Sequence, residues 1–306
     1  MLAPEPCSAC RASPSGAGAL RYTRPREGRP LRRTATIAAA GALVVALGYA
    51  ALCGVMFLKQ ESLVFFPERA LAGTPADAGL EFESVRLHTG DSVALGAWWI
   101  PAVTPRGCVV FAHGNGGNRS HRLAKVRLLH DLGLSVLAFD YRGYGDSEGR
   151  PSEQGTYRDM DAAIDFATHE KRCPVPSVVY MGESLGGAVA VEAAARRMPG
   201  GLIVESGFTS VPAMARRYYP WLPVRLLLKV RYDSLARIRT VACPVLVLHS
   251  PDDDVVPYAM GRELFAAAPG PKAFSDLAGG HNGGGVAASP GARRALEAFL
   301  AETLRR

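Results

Sequence analysis

A chain of 306 residues, 48% hydrophobic and 21% charged, is long enough for one large core, and its composition excludes disorder as the default state. The net charge of +7 is lopsided: residues 1–33 hold seven Arg against Glu5 and Glu27, a local +5 that leaves +2 for the remainder. No basic stripe interleaved with aromatic residues follows, so the charge gives no support to a nucleic-acid partner, and none is expected.

Residues 1–33 are rich in Pro, Gly, Ser and Arg and are expected to form a basic disordered tail. Cys7 and Cys10 make a lone C-x-x-C within it, which without a second pair or a nearby His reads as chance spacing. Residues 34–58 carry no charge. As a helix they would run about 37 Å, enough for a hydrocarbon core of about 30 Å. No A-x-A site closes the run, and Leu52 precedes Cys53 where a lipoprotein signal wants a small side chain, so a retained signal anchor is expected. The preceding Arg residues then place the N-terminus in the cytoplasm and the following domain outside it, in a periplasm or lumen.

A proline-punctuated connector is expected over residues 59–80, and one folded domain over 81–306. Within it, segments 82–87 and 92–98 suggest an antiparallel pair turning at Thr89-Gly90-Asp91. Apolar runs at 109–112, 135–139, 178–181, 202–204 and 245–248 then alternate with helix-like stretches at 119–132, 153–169, 185–197 and 258–267. This order predicts an α/β fold, a mostly parallel sheet of about eight strands with helices on both faces. Residues 208–238 form an insertion too short for a large lid, holding Tyr218, Tyr219, Trp221 and an apolar 224–228 run. In such sheets ligands bind beyond the carboxyl ends of the strands. Four of those ends are polar or Gly-rich: "FAHGNGGNRS", "FDYRGYGDSEG", "MGESLGG" and "LHSPDDDVVP".

The third of these places Ser184 in a G-x-S-x-G turn between a strand and an Ala-rich helix, where a nucleophile would be held above the sheet. A serine hydroxyl needs a general base and an orienting carboxylate. Downstream of Ser184 lie only His249, which closes a strand and should pack there, and His281, which sits in the glycine-rich loop "AGGHNGGG" and is the expected base. Asp252, Asp253 and Asp254 all qualify as the acid, with Glu205 a weaker substitute and Asp233 too deep in the insertion. Oxyanion donors are expected at the backbone of Leu185 and in the His113–Asn118 turn, at Asn115 with Gly114 behind it, whereas His113 itself reads as structural. Cys108 and Cys243 start apolar runs and read as small buried hydrophobes; with Cys173 they leave a disulfide open but unassigned.

Taken in order, "HGNGGN", "DYRGYGDSEG", "GESLGG", "SPDDDVVP" and "GGHN", preceded by one apolar span and "LVFFP", resemble the membrane-anchored BEM46-like branch of the α/β-hydrolase superfamily. In that branch's H-G-x-x-D-x-x-V-P pattern His249 matches the histidine and Asp253 the acid, while Ser250 stands where glycine is usual. The resemblance implies a serine hydrolase that cleaves carboxylic esters or thioesters through an acyl-enzyme, with Ser184, Asp253 and His281 as triad and no cofactor. No metal-ligand spacing is present. The implied partners are a small-molecule or lipid acyl ester and the membrane itself. A peptidase, amidase or acyltransferase would use the same machinery. A non-catalytic membrane-tethered binding module is the contrasting class, and the presence of every catalytic element argues against it.

Overall fold

Runs of β-branched residues alternating with amphipathic stretches give eight strands in a single sheet, seen in a computed structural model that describes Gly18 and residues 29–304. Most of the tail, Cys7 and Cys10 included, lies outside the described residues. The chain divides into two units, Met1–Leu52 and Cys53–Arg306.

Helix α1 (Arg29–Val64) begins inside the segment read as tail and continues six residues beyond the expected end of the span. Lys59, Gln60 and Glu61 are therefore helical rather than connector, since nothing in "KQESLV" breaks a helix until Pro67. From Arg33 to Val64 this helix is long and apolar enough to cross a membrane. In the first unit its apolar side chains lie open, with Ile37 and Val45 each 72% exposed.

The second unit carries the sheet: β1 (Glu83–His88), β2 (Ala94–Ile100), β3 (Gly107–Ala112), β4 (Leu134–Phe139), β5 (Val178–Glu183), β6 (Gly201–Glu205), β7 (Val245–His249) and β8 (Lys272–Asp276). Their spatial order is β8-β7-β6-β5-β3-β4-β2-β1. The pairs β1–β2 and β2–β4 are antiparallel and the rest are parallel. The fold is thus the α/β arrangement expected, and among the eight strands of this sheet only β8 has no counterpart in the sequence reading. That edge strand is half-exposed and lacks a continuous apolar run.

Successive strand residues point to opposite faces, so each strand feeds two cores. Val110, Tyr180, Val204 and Val247 pack with α3 (Glu153–Asp165), α4 (Leu185–Arg196) and α8 (Tyr258–Ala267) on one face. Phe111, Met181, Ile203 and Leu246 pack with α2 (Leu123–Asp131) and α9 (Pro290–Thr303) on the other. The insertion folds as three short helices, α5 (Val211–Tyr218), α6 (Val224–Leu227) and α7 (Ser234–Ile238).

Cys108 departs from its expected role as a free buried hydrophobe. At the start of β3 it is joined to Cys173 by a disulfide, because the loop before β5 brings Cys173 to the end of the sheet where β3 and β5 begin side by side. Cys243 is free and buried as expected, and burial pushes its thiol up to about 12.

Candidate active site

The turn between β5 and α4 holds its serine in a strained backbone conformation. Ser184 has φ +52° and ψ −111°, a conformation that L-residues rarely adopt, and its N–H is held by the Glu205 carbonyl at 2.8 Å. Glycines make the turn sterically feasible. A Cβ at Gly182 would lie 2.0 Å from the Gly186 carbonyl oxygen, and one at Gly186 would lie 2.0 Å from that of Ala112. Because β3 and β5 pair in parallel with Ala112 opposite Gly182, the loop after β3 lies beside the serine.

The loop after β8 carries His281 back to this turn. Its Nε2 is 3.1 Å from Ser184 Oγ, and its Nδ1 lies 2.8 and 3.0 Å from the two carboxylate oxygens of Asp253. The Asp253 side chain is fully shielded and also accepts the N–H groups of Val255 and Val256 at 3.0 and 2.7 Å. Burial works to raise its pKa, but the bonds from His281, Val256 and Val255 outweigh that and hold it below the ordinary value of 3.8. An ionised carboxylate can only accept, so Nδ1 carries a proton and Nε2 presents its lone pair to the serine hydroxyl.

Among the three adjacent aspartates the backbone makes the division. Asp253 points inward, Asp254 accepts the N–H of His281 at 3.0 Å and steadies the loop, and Asp252 is exposed. His249 packs at the end of β7, as expected, where its Nε2 donates to the Val256 carbonyl at 3.0 Å. Its Nδ1 is then the unprotonated nitrogen, and burial lowers its pKa. Asp233 caps α7 by accepting the Ala236 N–H at 3.1 Å. Glu205 is buried against Lys125, 2.7 Å from its ammonium. Lys125 also pairs with Glu183, the residue before the serine, and Arg122 Nε lies 2.9 Å from the same carboxylate. Burial alone would raise Glu183, but Lys125 and Arg122 pull it down to about 2. No sequence signal joins these four distant residues.

The other half of the rim supplies scaffolding. Asp140 holds Arg119, accepting its backbone N–H at 2.6 Å and pairing with its guanidinium. Arg142 bridges Asp91 and Asp159. Tyr141 OH donates to the His113 carbonyl at 3.0 Å, and Tyr144 OH donates to Asn115 Oδ1 at 2.9 Å. The Asn115 side chain is fixed in this way and also accepts the Phe66 N–H at 3.2 Å. Leu185 opens α4, so its N–H has no intrahelical carbonyl to bond. Asn115, Ser184 and Leu185 line one cavity of about 390 Å³. The rest of its wall is mostly apolar and comes mainly from α1, from the insertion, and from Val255 and Val256 in the loop after β7.

The family model described as serine aminopeptidase, S33, matches residues 103–239. An uncharacterised protein of Mycobacterium tuberculosis (strain ATCC 25618 / H37Rv) is 38% identical over 263 residues, 85% of this chain and 94% of that protein. The protein bem46 of Schizosaccharomyces pombe is 31% identical, covering 67% of this chain and 73% of its own length. Mouse lysophosphatidylserine lipase ABHD12 is 32% identical across 66% of this chain and 61% of its own. In fold, the chain is similar to the Pyrococcus furiosus esterase Pf2001, with a TM-score of 0.64 at 21% identity over 78% of this chain and 99% of that one.

Proposed function

The chain belongs to the BEM46-like branch of the α/β hydrolases, and from that premise we propose that it is a serine hydrolase of carboxylic esters or thioesters acting through a Ser184–His281–Asp253 triad. The observation that carries this reading is the unbroken path from Asp253 through His281 to Ser184 at 2.8 and 3.1 Å, opening into an apolar cavity. Ser184 Oγ attacks the acyl carbonyl carbon while His281 Nε2 takes the hydroxyl proton. The backbone N–H groups of Leu185 and Asn115 face the oxyanion that forms, each worth about 3 kcal/mol of transition-state stabilisation. When the tetrahedral centre collapses, His281 returns the proton to the leaving alcohol or thiol. Water then attacks the acyl-enzyme by the same route and frees the acid and Ser184. No step calls for a cofactor.

Two relatives in sequence and fold are named a lipase and an esterase, which favours esters. The family name serine aminopeptidase raises amide cleavage as the second reading. A cavity wall dominated by Leu, Val, Met and Phe suits an apolar acyl group better than the charged amino end of a peptide. The test is rapid-mixing hydrolysis of a chromogenic p-nitrophenyl ester beside the matching anilide. A burst equal to the enzyme concentration, with the ester favoured, is the expected result; faster anilide turnover would shift the reading to an amidase.

The same proposal places the hydrolase domain outside the cytoplasm, tethered by α1 as a single-pass anchor. Arg-rich sequence before the span supports that orientation, and so does the Cys108–Cys173 disulfide, which persists in oxidising compartments.

A further inference from the structure

The cavity above Ser184 is walled in part by the helix that carries the apolar span. Met56, Gln60, Leu63 and Val64 of α1 line it together with Met214 and Leu227 of the insertion. Gln60 fixes this arrangement. It is 5% exposed, its Oε1 accepts the N–H groups of Lys229 and Val230 at 2.7 and 3.2 Å, and its Nε2 donates to the Phe57 carbonyl at 2.7 Å. A side-chain amide so buried and so fully bonded works as a clamp between two segments. Around it Cys53, Leu222 and Val224 form a small apolar cluster with Met56, Leu227 and Leu228 packed against it.

We propose that this cavity is the binding site for one long acyl chain of a membrane ester lipid, and that the last three turns of α1 set its depth. The proposal rests on the serine-hydrolase reading and adds the substrate class. Three observations converge on this occupant. The cavity is continuous with Ser184, so a chain lying in it would present its carbonyl to the hydroxyl. Its 390 Å³ holds on the order of a dozen methylene groups at roughly 30 Å³ each, the volume share of a water. Finally, Lys59 is the first charge after 25 uncharged residues, so Met56 belongs to the apolar stretch and Gln60 lies two residues past its end. Both residues lie on the helix whose apolar stretch is long enough to span a membrane, so the ester close to hand for this cavity is a membrane lipid.

The experiment uses the full-length protein in detergent micelles with p-nitrophenyl esters from C2 to C16, and with a monoacylglycerol series in phosphatidylcholine vesicles. For the wild type, kcat/KM should climb with chain length to about twelve carbons and then level. Met56→Trp and Leu227→Trp, which fill the cavity from its two walls, should lower the C12 to C4 ratio at least tenfold. Leu226→Trp, on the exposed side of α6, should leave that ratio at the wild-type value. Gln60→Ala, which releases the clamp without filling the cavity, should flatten the chain-length profile. Labelling by a small fluorophosphonate reports the serine, and far-UV circular dichroism reports folding independently. If the wild type labels but prefers C2 or C4, or if Met56→Trp and Leu226→Trp give the same ratio, the acyl-chain proposal is overturned while the hydrolase reading stands. Absence of labelling in folded wild type would instead remove both.

Discussion

His113 and His281 each lie against an aspartate at the carboxyl end of the sheet, and the two sites differ in everything except residue type. His113 Nε2 approaches Asp140 within 3.2 Å with both side chains almost wholly buried, and that Asp also holds Arg119. His281 is 11% exposed, and its second nitrogen faces a serine on a strained turn beside a cavity. A buried Asp–His contact locked by a cation is scaffolding. One that leaves a ring nitrogen free toward a hydroxyl can move a proton. Proximity of acid and base is therefore a poor guide to chemistry until one asks what the far side of the imidazole meets.

The contrast can be broken most forcefully at the serine side. Ser184→Ala or His281→Ala should lower kcat for a p-nitrophenyl ester by about 10⁵-fold or more, measured against protein of unchanged far-UV circular dichroism. Equal residual activity in both variants would show that they act as one unit. Next in size, Asp253→Asn should cost roughly 10⁴-fold in kcat by favouring the wrong imidazole tautomer, with little change in Tm. Asp140→Asn should do the reverse. It leaves Arg119 buried with half its partners, so about 3 kcal/mol of stability, on the order of 10 °C in Tm, should go while kcat of the folded fraction holds. Matching effects of the two Asn substitutions on kcat would erase the distinction.

Smaller effects sharpen it. Replacing Cys108 and Cys173 together by Ser opens a 65-residue loop and should cost about 4 kcal/mol in urea unfolding without changing the ester profile. The smallest concerns acid. Asp253 is held below 3.8 in the folded state, so the stability it lends is complete above that value and drains away as pH falls through its lower folded value. As pH falls below about 4 the wild type should thus lose stability faster than Asp253→Asn, followed by urea midpoints.

The parts of this molecule that chemistry dictates locally were legible in the sequence. Tight turns need glycine at fixed offsets, so Ser184 and its helix announce themselves, and buried parallel strands read as continuous apolar runs. From residue types alone Asp253 was one of three neighbours, and only the resemblance to the branch pattern singled it out. The choice among them is made by the Val255 and Val256 N–H groups, which fold the side chain inward. Strand β8 was hidden because an edge strand with one solvated side has no apolar run to show. The pairing of Cys108 with Cys173, the Lys125 bridge between Glu183 and Glu205, and the Gln60 clamp were hidden for another reason. Each joins residues tens to more than a hundred positions apart, and only the folded sheet brings them together.

The central claim is that the Ser184 hydroxyl is activated by the histidine and aspartate gathered beside it. It is tested most directly by reacting full-length protein with a fluorophosphonate and locating the adduct by peptide mass spectrometry. The account predicts one modification, on Ser184, that is abolished in Ser184→Ala and slowed at least a thousandfold in His281→Ala. Labelling elsewhere, or none in protein shown to be folded, would contradict it.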